Sequence, residues 1–328
     1  YGVMDNGSAN AGMMEVARLA AQKRDQWKRG LRVCFWSGHS HGRYSGSAWY
    51  ADTFWDELDR RCAAHVNVDS LGGVGATVLG HSASMTELLH LARDAVQTHT
   101  NQTYTGKRKN RSSDDSFIGI GIPSMLGSVS EQESKHAAAR NALGWWWHTP
   151  HDTIDKVDEA NLIRDTKILV QIVGRLLSEP VLPLDHAATA EALLKQLEAL
   201  QGPLGDRLPI APLVALATGV RDTAAAVGGQ GAGIDGARAA RASLALMRAS
   251  RALVPADYAG GERFDPPHAL PVPDWSTLQP LRDLAAAEPE SDAARFLMVD
   301  ALRARNRVQY ALRQAQLALD EAAAALAS

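Results

Sequence analysis

The fold turns on Leu31-Arg32-Val33-Cys34-Phe35-Trp36-Ser37-Gly38-His39-Ser40-His41-Gly42-Arg43-Tyr44-Ser45-Gly46-Ser47. Its first part, residues 31–36, is a nearly continuous apolar run, the pattern of a short strand covered on both faces. Its second part is a glycine-rich turn that carries two histidines, with a helix expected from residue 48. Strand ends of this kind are where open α/β sheets place their chemistry.

The alternation continues on both sides of this stretch. Residues 8–22 put Ala9, Met13, Val16, Ala17 and Ala20 on one helical face, and Asp5-Asn6-Gly7-Ser8 forms the loop before it. Residues 49–61 read as helix, and His65-Val66-Asn67-Val68-Asp69 as a strand that ends in an acid. A further strand is expected over 76–80, then a helix over 84–97 with Ser84 at its N-cap and Glu87 three residues on. Residues 101–115 form a polar loop, and 117–122 and 125–129 read as short strands parted by Pro123. A long helix is expected over 158–177. This order predicts an α/β domain built on a mainly parallel, mixed sheet flanked by helices.

Composition changes at Ser178-Glu179-Pro180-Val181-Leu182-Pro183. Beyond it, alanine, leucine and arginine dominate, and helices are expected at 185–201, 211–227, 232–253, 275–287 and 291–325. The expected domains are an α/β domain over 1–180 and an all-α helical bundle over 181–328. The last helix carries Ala301, Val308, Leu312, Ala315 and Leu319 near heptad spacing, a seam that predicts a homodimer.

The bulk numbers narrow the function classes. With 328 residues there is room for about two domains. An apolar content of 45% with 22% charged residues belongs to a folded chain. A net charge of -3 gives no electrostatic case for nucleic acid as partner. No apolar run reaches the ~20 residues of a membrane-spanning helix. Two cysteines make no disulfide framework, and Cys34 reads as a small core residue. The chain opens at Tyr1 without a methionine or a signal-like segment, and so reads as a fragment whose natural N-terminus lies upstream. The compartment stays open, with the cytoplasm favoured.

Asp5, the His39/His41 pair, Asp69 and His148 all fall at loop positions after strands. A mixed Asp/His cluster at one sheet edge is the ligand set of zinc or another borderline divalent metal. Each residue alone also has a plainer reading: Asp5 and Asp69 as capping acids, His148 as a turn hydrogen-bonder. Arg43 and Tyr44 suit a substrate carboxylate or a developing oxyanion, or else a salt bridge and a core tyrosine. Of Trp145, Trp146 and Trp147, at least two read as core.

Taken together, five segments carry a resemblance. They are Asp5-Asn6-Gly7-Ser8-Ala9-Asn10; Phe35 to Gly42 with Gly46-Ser47; Val66-Asn67-Val68-Asp69; Ser113-Asp114 with Phe117 and Gly121-Ile122-Pro123; and Trp147-His148-Thr149-Pro150-His151-Asp152-Thr153. Over residues 1–178 they resemble the zinc metallopeptidase family of bacterial aminopeptidases, glutamate carboxypeptidase II, the transferrin receptor and glutaminyl cyclase. The helical half resembles, in architecture, the C-terminal helical domain of the carboxypeptidase and receptor branch. The resemblance implies a hydrolase that cleaves a peptide or small amide substrate with a metal-bound hydroxide, using one or two zinc ions. It places Asp5 at the bridging aspartate and Asp69 and His148 at further ligands, with an early histidine upstream of Tyr1. It places Asp114 where an acid orients the loop near the last histidine, and Asp152 is carried as a further supporting or substrate-facing acid.

The opening stretch departs from the family, which has Glu-Glu where this chain has His39-Ser40-His41. There the first glutamate is general base and the second a ligand. Counting from Trp36 puts His39 at the base and Ser40 at the ligand. Counting back from Gly46-Ser47 puts Ser40 at the base and His41 at the ligand. The second suits metal binding, because imidazole is a good zinc ligand and a serine hydroxyl a poor one. It leaves His39 as a proton-transfer group. The same departure keeps two other readings open: an inactive relative serving as an interaction scaffold, and a cyclase or non-peptide amidohydrolase.

Overall fold

The computed structural model describes residues 1–39, 41–42, 44–109, 114–133, 142–228, 233–266 and 272–327. Ser40 and Arg43 lie outside the described residues. The helices, in chain order, are α1 (Ala9–Ala21), α2 (Ser45–Thr53), α3 (Trp55–Arg61), α4 (Leu89–Thr100), α5 (Glu159–Ser178), α6 (His186–Leu204), α7 (Ala211–Gly228), α8 (Gly236–Tyr258), α9 (Gln279–Ala286) and α10 (Asp292–Ala327). The strands are β1 (His65–Val66), β2 (Ala76–Val78), β3 (Ser124–Met125) and β4 (Glu131–Gln132). None of the described helices is long and apolar enough to cross a membrane.

The chain forms two compact units: Tyr1–Ser37, Val66–Lys109 and Ser124–Glu179 in one, and Gly38–His65, Asn110–Pro123 and Pro180–Ser328 in the other. The composition break falls where the first unit's last segment ends. The second unit also takes in two earlier segments, which that break does not foresee.

In the first unit, α1 and α4 both pack on α5. Leu91, Ala92 and Ala95 of α4 and Ile168, Leu169 and Ile172 of α5 are essentially inaccessible, at the helical spacing that makes one apolar face. Each large aliphatic side chain buried there contributes roughly 1.5–3 kcal/mol. The Asp158 carboxylate starts α5 by accepting the Asn161 N–H at 2.8 Å.

The described strands form two separate two-stranded sheets, β1 with β3 and β2 with β4, rather than the single mainly parallel mixed sheet that the sequence predicts. Residues 65–69 run parallel to 123–127, with Asn67 N–H donating to Met125 O at 3.0 Å and Asp69 N–H to Gly127 O at 3.1 Å. β2 pairs antiparallel with β4. Residues 31–36 form no strand: Val33 is 37% and Phe35 56% exposed, and Cys34 is only half-buried. A strand is made by its ladder, and the 65–69 segment takes 123–127 as its parallel neighbour. Residues 117–122 are turns rather than a strand. The chain folds back so that Gly121 and Ile122 donate to Phe117 O, and Gly121 supports the reversal with a φ of 88°. Ser84 is not a helix cap either. It lies in extended backbone, its hydroxyl is 2.9 Å from that of Tyr104, and α4 begins only at Leu89.

In the second unit, α10 packs along α8, α7 and α9, and α6 packs on α7 and α9. The five helices lie within a few residues of their expected ranges. The α10 seam is consumed inside the chain: Ala301, Val308, Leu312, Ala315 and Leu319 are all fully buried. Its apolar spacing is satisfied by α8 and α7 and is therefore no argument for a second copy.

Candidate active site

Each side chain of the segment before α1 has a distinct task. Asn6 Nδ2 donates to Val68 O at 3.4 Å. Ser8 Oγ lies 2.7 Å from Leu71 O and 2.9 Å from Met4 O, and accepts the Leu71 N–H at 3.2 Å. These contacts tie the start of α1 to the loop after β1, which carries Asp69. The Asp5–Asn6 peptide is cis.

The second arm of the site is the turn at 148–153. Thr149 closes it, its N–H and hydroxyl both donating to Trp146 O, while its own Oγ1 accepts the His151 N–H at 3.2 Å. His148 takes a left-handed φ of 61°, a conformation unfavourable for a residue with a Cβ and characteristic of functional turns. Its ring stacks on Trp147, centroids 3.5 Å apart and planes at 20°. Its Nε2 lies 3.0 Å from Asp5 Oδ2. Asp152, almost fully buried, returns the turn to the first segment, its carboxylate accepting the N–H groups of Met4 and Asp5. Of the three tryptophans only Trp146 is core, its Nε1 donating to Met4 Sδ. Trp147 is half-buried by its stacking on His148, and Trp145 is 63% exposed.

Asp69 completes this group. Burial above all, then the charge and hydrogen bond of neighbouring Asp69 and the charge of Asp152, raise the Asp5 carboxyl to about 6 against the lowering pull of His148. Two carboxylates forced together beside an imidazole are a donor set whose charge a divalent cation would balance, so the chemistry fits zinc. Among the described residues no group of three or more His, Cys, Asp or Glu side chains stands at metal-ligand spacing.

Within the second unit, the turn 38–45 closes through Tyr44 N–H to His39 O at 2.9 Å and Ser45 N–H to Gly38 O at 3.2 Å. Gly38 is required there: its φ is 74°, and a Cβ would sit 2.0 Å from Ser45 Oγ. His41 is exposed on this turn. His39 Nδ1 lies 2.7 Å from Asp114 Oδ2. The other Asp114 oxygen accepts from Ser47 Oγ at 3.0 Å, and that hydroxyl is also 2.9 Å from Ser116 Oγ. Tyr44 is buried, with its ring edge-on to the imidazole at 5.1 Å. Asp114 therefore holds His39. Ser47, Ser116 and the Trp147 stack are the contributors that sequence reasoning did not assign. Ser47 was visible only as part of Gly46-Ser47, and Ser116 had no signal beyond its closeness to Asp114.

Residues 1–173 match the family profile described as Peptidase family M28. A curated relative, described as probable glutamate carboxypeptidase VP8 of Zea mays, is 26% identical over 218 residues, which cover 61% of this chain and 30% of the relative. The chain thus spans less than a third of that relative's length. The profile takes in Asp5, Asp69, His148 and Asp152 together with the His39–Asp114 pair, and the chain belongs to peptidase family M28.

Proposed function

We propose that this chain is the hydrolase part of a zinc-dependent peptidase of the aminopeptidase/carboxypeptidase type, cleaving a peptide or other amide bond. The observation that carries this reading is the contact of His148 Nε2 with Asp5 Oδ2 beside Asp69. Asp5, Asp69 and His148 would hold zinc, and His41 is kept as a further candidate ligand on donor chemistry alone. When bound, zinc supplies Lewis acidity and a more acidic water. His39 is the proton-transfer group: Asp114 accepts from Nδ1, so Nε2 is the exchanging nitrogen. Trp147 keeps the His148 ring in place, and Asp152 fixes the backbone beneath Asp5.

The test is zinc content after reconstitution, together with hydrolysis of a dipeptide panel, for wild type, Asp5→Asn and His39→Ala. The name of the maize relative puts peptides with a C-terminal glutamate on that panel. Wild type should bind zinc and hydrolyse at least one member. Asp5→Asn should lose zinc, and His39→Ala should keep zinc and lose about 10²–10⁴-fold in kcat. Absence of zinc from reconstituted wild type would sink the reading.

A second reading has its own support, since His39-Ser40-His41 stands where the family carries Glu-Glu. An interaction scaffold would show no hydrolysis in any of the three proteins.

A further inference from the structure

Asp114 is only 6% exposed, Ser47 is fully buried and Ser116 is 6% exposed. A carboxylate removed from water in this way is costly unless its oxygens are fully used. Both are used. Oδ2 takes His39 Nδ1 at 2.7 Å, and Oδ1 takes the Ser47 hydroxyl, which is anchored against Ser116 Oγ and lies 3.2 Å from Tyr44 O. Ser47 and Tyr44 belong to α2 and its N-cap, so the carboxylate is oriented by a helix rather than by a loose loop. Tyr44 adds an edge-on ring against the imidazole. The imidazole is thus fixed in plane, tilt and tautomer at one end, while its side chain stays 42% accessible.

We propose that Asp114 is a positioning residue for His39: it holds the Nδ1–H tautomer, with Ser47 and Ser116 locking its carboxylate, so that Nε2 is the nitrogen that takes the proton in amide hydrolysis. This rests on the hydrolase reading above. In the step, water gives one proton to Nε2 as its oxygen bonds to the carbonyl carbon. That proton then passes to the departing amine nitrogen as the C–N bond breaks, and His39 ends neutral, as it began. The arrangement is a two-residue substitute for a single carboxylate base, because a neutral imidazole can accept at Nε2 only while Nδ1 carries its hydrogen.

The experiment is long-range ¹H–¹⁵N NMR of ¹⁵N-histidine-labelled full chain, with His39→Gln assigning the signal among 11 histidines. Neutral His39 in wild type should show a protonated Nδ1 and an unprotonated Nε2. Asp114→Asn should mix the tautomers, lower kcat about 10²-fold or more and leave KM within about twofold. Ser47→Ala should give a smaller loss in the same direction. A wild-type His39 protonated at Nε2, or already mixed, would overturn the proposal, as would unchanged kcat in an Asp114→Asn protein with scrambled tautomers. The expected tautomer in a wild type that hydrolyses no amide would support the positioning by Asp114 and overturn the hydrolase reading alone.

Discussion

The Asp152 carboxylate accepts the backbone N–H of Asp5 at 2.9 Å through Oδ2, while its other oxygen accepts the N–H of Met4 at 2.8 Å. One buried acid therefore sets the backbone under a residue 147 positions away. Asp152→Asn replaces one acceptor by an NH₂ group facing an N–H. The expected cost is about 1–3 kcal/mol of stability. If Asp5 binds zinc, affinity should also fall about 10–100-fold, as for other groups that orient a ligand. Urea unfolding and a zinc competition titration read the two separately. An Asp152→Asn protein equal to wild type in both would remove Asp152 from the site.

Trp147 is the second support. Its ring lies flat on His148 at 3.5 Å, and His148 holds an unfavourable left-handed backbone. Trp147→Ala frees the imidazole, whereas Trp147→Phe keeps a stacking face. Aromatic contacts of this kind contribute about 0.5–1.5 kcal/mol, so Trp147→Ala should weaken zinc roughly threefold to tenfold and Trp147→Phe much less. Equal weakening by both would mean that the stack does not position His148.

The sequence was most legible where periodicity is long. The five C-terminal helices follow from 3–4 spacing because a helix makes its own hydrogen bonds, and α10 buries Ala301, Val308, Leu312 and Leu319 at the places the pattern marks. Strands need partners. The apolar run at 31–36 and the segment 117–122 both looked like strands, yet neither joins a ladder. Phe117 to Ile122 turns back through Gly121, whose φ of 88° no periodicity reports. Asp5, Asp69 and His148 were legible as chemistry, and their convergence is visible only in the fold. Asp114 was legible as an acid but not as the partner of His39, since 75 residues separate them.

Arg251 is 6% exposed, and its guanidinium donates to the carbonyls of Leu58, Asp59 and Cys62 at the end of α3 and to Gly121 O. It acts as a side-chain cap at the end of α3, where Leu58 O also accepts the Cys62 N–H at 2.9 Å. Burial pulls its own basicity down to about 10, which still leaves it charged. Arg251→Met takes the guanidinium donors away from Asp59 O, Cys62 O and Gly121 O and should cost about 3–5 kcal/mol. Arg251→Lys, a point donor without the planar fork, should recover less than half of that loss. Gly121→Ala should also destabilise, because its Cβ would stand 2.6 Å from Arg251 Cα. Denaturant unfolding of the full chain checks all three, and a loss under 1 kcal/mol for Arg251→Met would refute the capping role.

His186 gives the second unit an acid sensitivity. It is fully buried at the start of α6. Its Nε2 is 2.9 Å from Ser250 Oγ, and among the described residues its Nδ1 has no partner. Burial pushes its pKa from 6.5 down to about 4, against the opposing charge of Asp185. The sign follows from which state binds the proton. Above pH 6.5 neither state is protonated and the full stability is present. Between 6.5 and about 4 the unfolded chain takes a proton that the folded chain refuses, so stability falls as pH falls, and the loss levels off below about 4. At about 1.4 kcal/mol per pKa unit, the contribution lost is on the order of 3 kcal/mol. His186→Gln cannot titrate. Whatever its unfolding free energy at neutral pH, between about pH 7.5 and 4.5 that free energy should drop by roughly 2–3 kcal/mol less than that of wild type. Other acids titrate alike in both proteins and cancel in this difference, so equal drops would show that His186 is protonated in the folded chain at no cost.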